Sequence, residues 1–180
     1  MKMLISLVLM QFAVSLALAN DVAIEVGVRS QSGDVESPAT AKSQLGYQAG
    51  ATTAFELSGP WYLRTGMLYT QRNLTVENGA DFKYSLNYLD VPVTALYKFE
   101  DYAGVFAGVN VSLLFDKSCS GGGCKVEDAK SLMTPFTFGA AFKFAPQIGG
   151  TIYFETAPGE AAKGLENFRA IGANISIYFE

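Results

Sequence analysis

The charged residues that could do chemistry in this chain share one face of a series of alternating segments. Two carboxylates on that face, Glu25 and Glu56, could act as a general acid and a general base if they lay close together. Acids and bases are nearly balanced on the face, however, and buried opposite charges in proteins normally pair with each other. We therefore predict a non-catalytic charge network. Its predicted members are Glu25, Arg29, Glu56, Arg64, Arg72, Asp90, Lys98, Lys143 and Glu155.

Histidine is absent from all 180 residues of the sequence. The serine nucleophile of an acyl hydrolase needs a neighbouring base of near-neutral pKa, which histidine usually supplies. Histidine is also a common zinc ligand, and two cysteines alone cannot complete a four-ligand zinc site. The sequence therefore predicts a protein that is not an enzyme and that needs neither a metal nor another cofactor.

The two cysteines, Cys119 and Cys124, stand in the segment CSGGGC. The residues between them, mostly glycine, form a short flexible ring that closes readily in an oxidising compartment. A C-x-x-C redox motif has a shorter spacing, so this arrangement favours a structural bond. We predict a Cys119–Cys124 disulfide that staples a loop.

The elements that must position the charged face are strands with two unlike faces. In MTPFTFGAAFKFA the phenylalanines at 136, 138, 142 and 144 alternate with small or polar residues, which is the period of a strand. Similar runs recur along the chain, and an even number of them suits a closed up-and-down antiparallel barrel. The eight predicted strands are roughly 21–30, 43–58, 60–73, 84–99, 102–115, 133–145, 147–156 and 169–179.

The uncharged face of these strands carries most of the bulky side chains. Side chains just fill the interior of an eight-stranded barrel, so the bulky residues cannot all point inward. Facing water they would make the protein insoluble, whereas facing lipid they gain roughly 25 cal/mol per Å² removed from water. We predict that lipid surrounds the barrel and that the charged face lines the lumen. Because Phe82, Tyr84 and Tyr88 share parity with Asp90, we also expect a bulge or loop extension near Asn87 to shift the phase.

Connections between the predicted strands alternate between short and long. The segments SGP, FEDY and APQ are tight, and the longest connection, 116–132, lies at the opposite end of the sheet. Outer-membrane barrels have this asymmetry, with short periplasmic turns and longer outer loops. Loop 116–132 is thus the candidate contact for an extracellular or cell-surface partner. Aromatic residues at the tight-turn end form a predicted girdle at the membrane interface: Trp61, Phe99, Tyr102 and Phe144.

The first twenty residues, MKMLISLVLMQFAVSLALAN, have the three parts of a secretory signal peptide. A lysine is followed by an apolar run and by Ala17-Leu18-Ala19, so we predict a cleaved signal peptide over 1–19 and a barrel domain over 20–180. The net charge of the whole chain is −4, which argues against nucleic acid as a partner because phosphate binding needs concentrated Lys and Arg.

Two segments carry a resemblance to a known family. YLDVPVTALYKF, residues 88–99, and the last strand, IGANISIYFE, are similar to segments of small outer-membrane barrels of Gram-negative bacteria, the OmpA-, OmpX- and PorT-like outer membrane protein beta-barrel group. The resemblance implies an all-β, eight-stranded antiparallel transmembrane barrel in the bacterial outer membrane. It also implies that the barrel-assembly machinery recognises Ile175, Ile177 and Phe179, although Glu180 follows the usual terminal aromatic residue.

The function expected from these features is a structural or surface-interaction role through the long outer loops. Two alternatives remain open at the level of sequence. One is a narrow pore for small solutes, with the lumen charges acting as a selectivity ring. The other is a secreted, soluble lipocalin-like barrel, with the phenylalanines lining a ligand cavity.

Overall fold

The computed structural model describes residues 21–35, 37–77, 81–121, 124 and 126–179. The predicted signal peptide, 1–19, and the terminal Glu180 lie outside these residues. Within the described part, the chain folds almost entirely into strands and turns, and it contains no helix that is long and apolar enough to cross a membrane.

Nine strands are present among the described residues. In chain order they are β1 (Asp21–Val35), β2 (Thr40–Ser58), β3 (Trp61–Glu77), β4 (Asp81–Glu100), β5 (Ala103–Ser120), β6 (Leu132–Met133), β7 (Phe136–Ala145), β8 (Ile148–Ala162) and β9 (Leu165–Phe179). Each predicted strand is found, but most are longer at the end away from the tight turns. The short β6 was predicted as the beginning of the same strand as β7.

Every strand pairs antiparallel with its neighbours, and the sheet closes on itself. β1 pairs with both β2 and β9, β4 pairs with β5, and β5 pairs with both β6 and β7. β6 and β7 keep one continuous register against β5, in which Ser112 faces Met133 and Val109 faces Phe136. They therefore form a single side of the ring, and the predicted eight-stranded antiparallel barrel is confirmed.

The two faces of the sheet are assigned as the alternation predicts. Val26, Phe138 and Ile175 point outward, with exposed fractions of 59%, 48% and 65%. Arg72 and Glu155 point inward and are buried. Exposed apolar side chains encircle the barrel from the tight-turn end upward, and we call this zone the lipid band. A sheet of this polarity is stable when hydrocarbon, and not water, covers its outer face.

The two ends of the barrel differ in how far the strands extend. Tight turns close one end at residues 59–60, 101–102 and 146–147, as predicted. At the other end, the segment 157–168 is not a long loop, because Ala157 pairs with Phe168 and Ala162 pairs with Leu165. Gly164 makes this turn possible, since its φ of 74° is a conformation that glycine adopts without steric cost. Paired strands thus project beyond the lipid band.

Irregularities on three adjacent strands change which residues face inward in the projecting part. The β1–β9 pairing shifts register after Ser32, the β8–β9 pairing shifts after Ala157, and Asn167 has a φ of 48°. The Nδ2 of Asn167 donates to Oδ2 of Asp34 at 3.0 Å, while its Oδ1 accepts from the backbone N–H of Gly159 at 3.1 Å. On β9, Phe168 is buried below Asn167 and Leu165 is buried above it, so the parity reverses there.

The expected irregularity near Asn87 is present, but it does not change which residues of β4 face inward. Tyr88 and Asp90 both face inward and are buried, and Phe82 and Tyr84 are partly buried on the same side. The β4–β5 pairing does shift register at Asn87, but β5 supplies the extra residue, Phe115, between Leu114 and Asp116. The inward aromatic residues belong to an apolar cluster inside the projecting strands, which we call the outer core. Its buried members are Leu74, Val76, Leu86, Tyr88, Met133, Ala157, Ala161, Ala162, Leu165 and Phe168.

Candidate functional site: the barrel lumen

The lumen contains two buried groups of paired charges. In the first, Glu25 of β1 accepts two hydrogen bonds from the Nη2 of Arg64 of β3, at 2.7 and 2.8 Å. The hydroxyl of Thr52 and the amide of Asn174 also donate to the Glu25 carboxylate. The ring of Phe106 lies 5.1 Å from the Arg64 guanidinium carbon. All the charge of this group is therefore neutralised within the wall of the barrel.

The second group, which we call the central cluster, consists of two bases and two acids from four strands. Oε1 of Glu155 on β8 accepts hydrogen bonds from Nη2 of Arg29 at 2.7 Å and from Nη2 of Arg72 at 3.0 Å. The guanidinium of Arg72 also donates to both carboxylate oxygens of Asp90, at 3.1 and 3.0 Å. Asn110 donates to the second oxygen of Glu155 at 2.9 Å. These contacts tie β1, β3, β4 and β8 together across the lumen.

The central cluster is electrically balanced and excludes water. Arg29, Arg72 and Asp90 are each 1% exposed, and Glu155 is 3% exposed. Charges this deeply buried are tolerated only when each has a partner, because removal from water is costly for each ion. The arrangement therefore stabilises a closed interior and holds no unpaired charge that a passing solute could replace.

Glycine lets an aromatic side chain complete this layer. A Cβ at Gly172 would lie only 2.3 Å from the Cζ of Tyr153, so the Tyr153 ring rests directly on the backbone of β9. The hydroxyl of Tyr153 donates a hydrogen bond to Oε1 of Gln48 on the opposite wall. The ring thus spans the lumen beside the central cluster.

The outer core lies directly above the central cluster. The guanidinium carbon of Arg72 is 4.8 Å from the centre of the Tyr88 ring, which joins the ionic layer to the apolar one. The Tyr88 hydroxyl donates to the carbonyl of Lys130 at 3.2 Å, and the N–H of Lys130 donates to the carbonyl of Ala161 at 2.9 Å. The connection between β5 and β6 is therefore docked across the top of the lumen.

Loop 116–132 is consequently shorter and less free than the sequence predicts. Residues 116–120 belong to β5, and Val126 and Ala129 pack against the outer core. Lys163 of the β8–β9 turn donates its backbone N–H to Glu127 and forms a 3.0 Å ion pair with the Glu127 carboxylate. The predicted disulfide between Cys119 and Cys124 is present at the outer edge of this connection. The loop acts as a lid that is part of the fold.

The remaining members of the predicted charge network lie outside both groups. Lys98 and Lys143 face a cavity at the tight-turn end, with their ammonium groups 4.0 Å from the Tyr62 ring and 5.0 Å from the Tyr178 ring. The assignment of Glu56 to the lumen network is wrong. The β2–β3 register is irregular between Glu56 and Ser58, and Glu56 is exposed there.

The predicted lipid-facing residues occupy the expected positions. The girdle residues at the tight-turn end, Trp61, Phe99, Tyr102 and Phe144, are all exposed. On β9 the three residues of the predicted assembly signal, Ile175, Ile177 and Phe179, point outward in the lipid band. Their recognition by the assembly machinery is a prediction that the fold does not test.

Sequence reasoning missed the neutral partners of the buried charges. Asn110, Ser112 and Asn174 share the parity of the inner-face residues, but parity does not show which carboxylate or guanidinium each contacts. Thr52 and Tyr153 were not recognised as members of the lumen. Across the described ranges, no group of three or more acidic or cysteine side chains is arranged to hold a metal ion.

A family model described as "Outer membrane protein beta-barrel domain" matches residues 11–157. The chain belongs to this family. Membership and the lipid-facing polarity of the sheet locate the protein in the bacterial outer membrane. The alternative of a soluble lipocalin-like barrel is wrong, because its apolar side chains would line the interior and not the exterior.

Solved structures of small outer-membrane barrels share the fold. Ail, the attachment invasion locus protein of Yersinia pestis, is 10% identical over 88% of this chain and 98% of Ail, with a TM-score of 0.54. Neisserial surface protein A (NspA) is 16% identical over 88% of this chain and 97% of NspA, with a TM-score of 0.57. AlkL, solved in lipid bilayers, is 14% identical over 90% of each chain, with a TM-score of 0.51. No curated protein sequence matches this outer-membrane barrel.

Proposed function

We propose that this protein is a closed, non-catalytic outer-membrane barrel with a structural or surface-interaction role. The observation that carries the proposal is the double closure of the lumen. The central cluster fills the middle of the barrel, and the outer core with its docked loop fills the space above. A solute would have to break both layers to cross the membrane, so the proposal rejects the alternative of a narrow pore.

The projecting strands support a role at the cell surface. Lys117, Glu160, Lys163 and Arg169 are exposed beyond the lipid band, while the outer core gives these strands a rigid interior. A rigid scaffold that presents polar side chains is suited to recognition, because little entropy is lost on binding. Ail is named for attachment and invasion, and another Ail structure contains the heparin analogue sucrose octasulfate. We extend only the general class of surface interaction to this chain.

Biogenesis by the usual outer-membrane route is part of the proposal. Residues 1–19 would direct export and be removed, and the barrel-assembly machinery would recognise Ile175, Ile177 and Phe179 on the final strand. Outer-membrane lipid is then the permanent partner of the apolar face. N-terminal sequencing of protein purified from outer membranes tests the cleavage, and a start other than residue 20 contradicts it.

Conductance in planar bilayers tests the closed lumen. We expect no discrete current steps from the purified, folded barrel in 1 M salt, whereas an established porin in the same bilayers conducts. Regular steps that persist after repurification would contradict the proposal. The heat-dependent shift in gel mobility that is typical of folded barrels should be measured on the same sample, so that an unfolded preparation is not mistaken for a closed one.

Replacement of the docked loop tests the surface role. We expect cells that produce a variant with residues 121–131 replaced by a short Gly-Ser linker to lose attachment to host cells or surfaces. The control variant is Lys83→Ala, which removes one exposed charge from β4 and leaves the loop intact. Cells that produce this variant should attach as well as the wild type. Cells that lack the barrel give the background level of attachment. Equal attachment by wild type and loop variant, at equal levels of folded protein, would contradict a role for this surface.

A further inference from the structure

The outer edge of the lipid band carries a group of polar and aromatic side chains that the closed-barrel proposal does not use. Outward side chains change there from apolar to polar, as from Leu89 to Asn87 on β4 and from Leu113 to Asp116 on β5. In outer-membrane barrels the long projections lie outside the cell, so this edge meets the headgroups of the outer leaflet. The group, which we call the interfacial patch, consists of Tyr69, Gln71, Asn73, Asn87, Phe115 and Asp116.

The bulge in β5 places two consecutive side chains of the interfacial patch on the same face of the sheet. Residues that follow each other in a regular strand point to opposite faces. Here Phe115 is the extra residue, and its ring lies 5.7 Å from the outward-facing ring of Tyr69 and is 59% exposed. The next carboxylate, of Asp116, accepts a hydrogen bond from Nδ2 of Asn87 at 2.9 Å on the same outer surface. An exposed ring and an exposed carboxylate thus stand side by side, as bulges near functional sites can arrange.

Hydrogen bonds hold the polar groups of the interfacial patch in place. The hydroxyl of Tyr69 donates to Oδ1 of Asn87 at 3.1 Å, and the same amide supports the Asp116 carboxylate. Although it faces outward, Asn87 is only 9% exposed, because the Tyr69 and Phe115 rings pack beside it. On β3, Nδ2 of Asn73 donates to Oε1 of Gln71 at 3.1 Å. A surface that is held in this way loses little conformational entropy when it binds.

The chemistry of the interfacial patch suits the sugar part of a lipid headgroup. The negative face of an aromatic ring attracts the weakly positive C–H groups of a sugar ring. Amide and carboxylate oxygens accept hydrogen bonds from sugar hydroxyls, and the Asp116 carboxylate can accept more than the one that Asn87 donates. The patch contains no base, and its carboxylate repels a phosphate group. Because the patch continues the lipid band, the molecule that reaches it is a lipid.

We propose that the interfacial patch binds the sugar headgroup of a glycolipid in the outer leaflet. One sugar ring stacks on Phe115, and a hydroxyl of the headgroup donates a hydrogen bond to the Asp116 carboxylate. The acyl chains of the same lipid lie against the lipid band directly below. The site is on the outward face of the sheet, so it is independent of the closed lumen and of any partner at the docked loop.

Titration with lipopolysaccharide, the glycolipid of the outer leaflet, tests the site. The folded barrel is placed in phosphatidylcholine nanodiscs with increasing fractions of lipopolysaccharide truncated to its core sugars, and the side-chain amide NMR signals of Asn87 and Asn73 are followed. We expect shifts that saturate with lipopolysaccharide but not with phosphatidic acid, which carries phosphate without sugar. The absence of saturation with lipopolysaccharide, or equal saturation with phosphatidic acid, overturns the proposal. Core sugars released from their lipid should leave the signals unchanged at the same total concentration, and equal shifts with them overturn the assignment to a lipid.

Two pairs of variants separate the patch from the rest of the lipid-facing surface. Phe115→Leu stays apolar but loses the ring, so we expect about fivefold weaker binding, whereas Phe144→Leu removes an exposed ring at the tight-turn end and should have little effect. Asp116→Asn should weaken binding about threefold, because the charged acceptor is lost, whereas Asp81→Asn, at the exposed start of β4, should have little effect. The heat-dependent shift in gel mobility shows that each variant is folded. Equal effects within either pair overturn the proposal.

Discussion

The two halves of the barrel interior are filled in opposite ways. Within the lipid band the interior is ionic and polar, as in the contacts of Arg72 with Asp90 and Glu155. Beyond the band the same strands enclose an apolar cluster that includes Leu74, Leu86 and Phe168. The two layers meet where the Arg72 guanidinium stacks on Tyr88.

The difference follows from what covers the outside of the sheet. Where hydrocarbon covers it, apolar side chains are stable on the exterior, and polar side chains can pair with each other inside. Where water covers it, the sheet needs an apolar interior to be stable, like a soluble protein. One sheet therefore reverses its polarity along its length. The bulges around Asp34 and Asn167 carry out part of that reversal.

The largest effect should come from removing the base that joins the two halves. We expect Arg72→Met to lower the free energy of unfolding by about 3–5 kcal/mol, because Asp90 and Glu155 would lose their shared partner while buried. Denaturant unfolding of the barrel in lipid vesicles measures the change.

A matched control for this variant is Arg169→Met. Arg169 contacts Asp34 at 3.5 Å, but both side chains are exposed, so its loss should have little effect. Equal destabilisation by the two variants would contradict the explanation that the loss of Arg72 is costly because its charged partners are buried.

A smaller effect should come from a cavity in the outer core. We expect Leu86→Ala to cost about 2–4 kcal/mol, because Leu86 is fully buried and its neighbours cannot collapse freely around the cavity. Leu45→Ala, at a position that is 68% exposed, should cost much less. Hydrogen exchange should show faster opening of the projecting strands in the Leu86 variant, with the lipid band unchanged. Uniformly faster exchange throughout the barrel would contradict the expectation that the projecting strands open locally when the outer core is weakened.

The smallest effect concerns the exposed ion pair of Lys42 and Glu77, at the projecting ends of β2 and β3. Its hydrogen bond from Lys42 lowers the pKa of Glu77 below the ordinary 4.5, and the same bond raises the pKa of Lys42 above 10.5. The ion pair therefore makes its full contribution to the stability of the folded barrel between pH 4.5 and pH 10.5. It is lost as pH falls through the lowered pKa of Glu77, or as pH rises through the raised pKa of Lys42.

Hydrogen exchange of the paired amides in residues 40–43 and 74–77 measures this dependence on pH. We expect protection to fall by about twofold below pH 4.5 in the wild type, since exposed pairs contribute little. Glu77→Gln should remove the acid-dependent step and leave the barrel intact. An identical acid-dependent step in the variant would assign the effect to another group.

Much of the lipid band could be predicted from the sequence. Strict alternation identifies Val26 and Phe138 as outward and Glu25 and Arg72 as inward, because a strand sends successive side chains to opposite faces. The Cys119–Cys124 bond follows from spacing alone. In this zone a single rule, apolar outside and polar inside, holds around the ring.

The projecting half could not be predicted by the same rule. The phase of the strand was expected to shift near Asn87, but Tyr88 stays on the inner face and is buried, because the surroundings change from lipid to water near that level. The segment 157–168 contains glycine and charged residues typical of a loop, yet it forms a paired hairpin around Gly164. Period-two patterns carry no signal for where the membrane ends. Bulges such as that at Asn167 also interrupt the alternation that distinguishes inward from outward residues.

The pairing of β1 with β9 has a consequence for how the molecule is made. The pairing runs from Val22 opposite Phe179 to Val35 opposite Leu165. The first strand to be synthesised therefore cannot complete its pairing until the last strand has been made. Until then, two unpaired edges are available to other chains, and such edges promote aggregation. Closure over the full length of the chain is also intrinsically slow. This topology therefore requires that both edges stay protected from other chains until the final strand has been made.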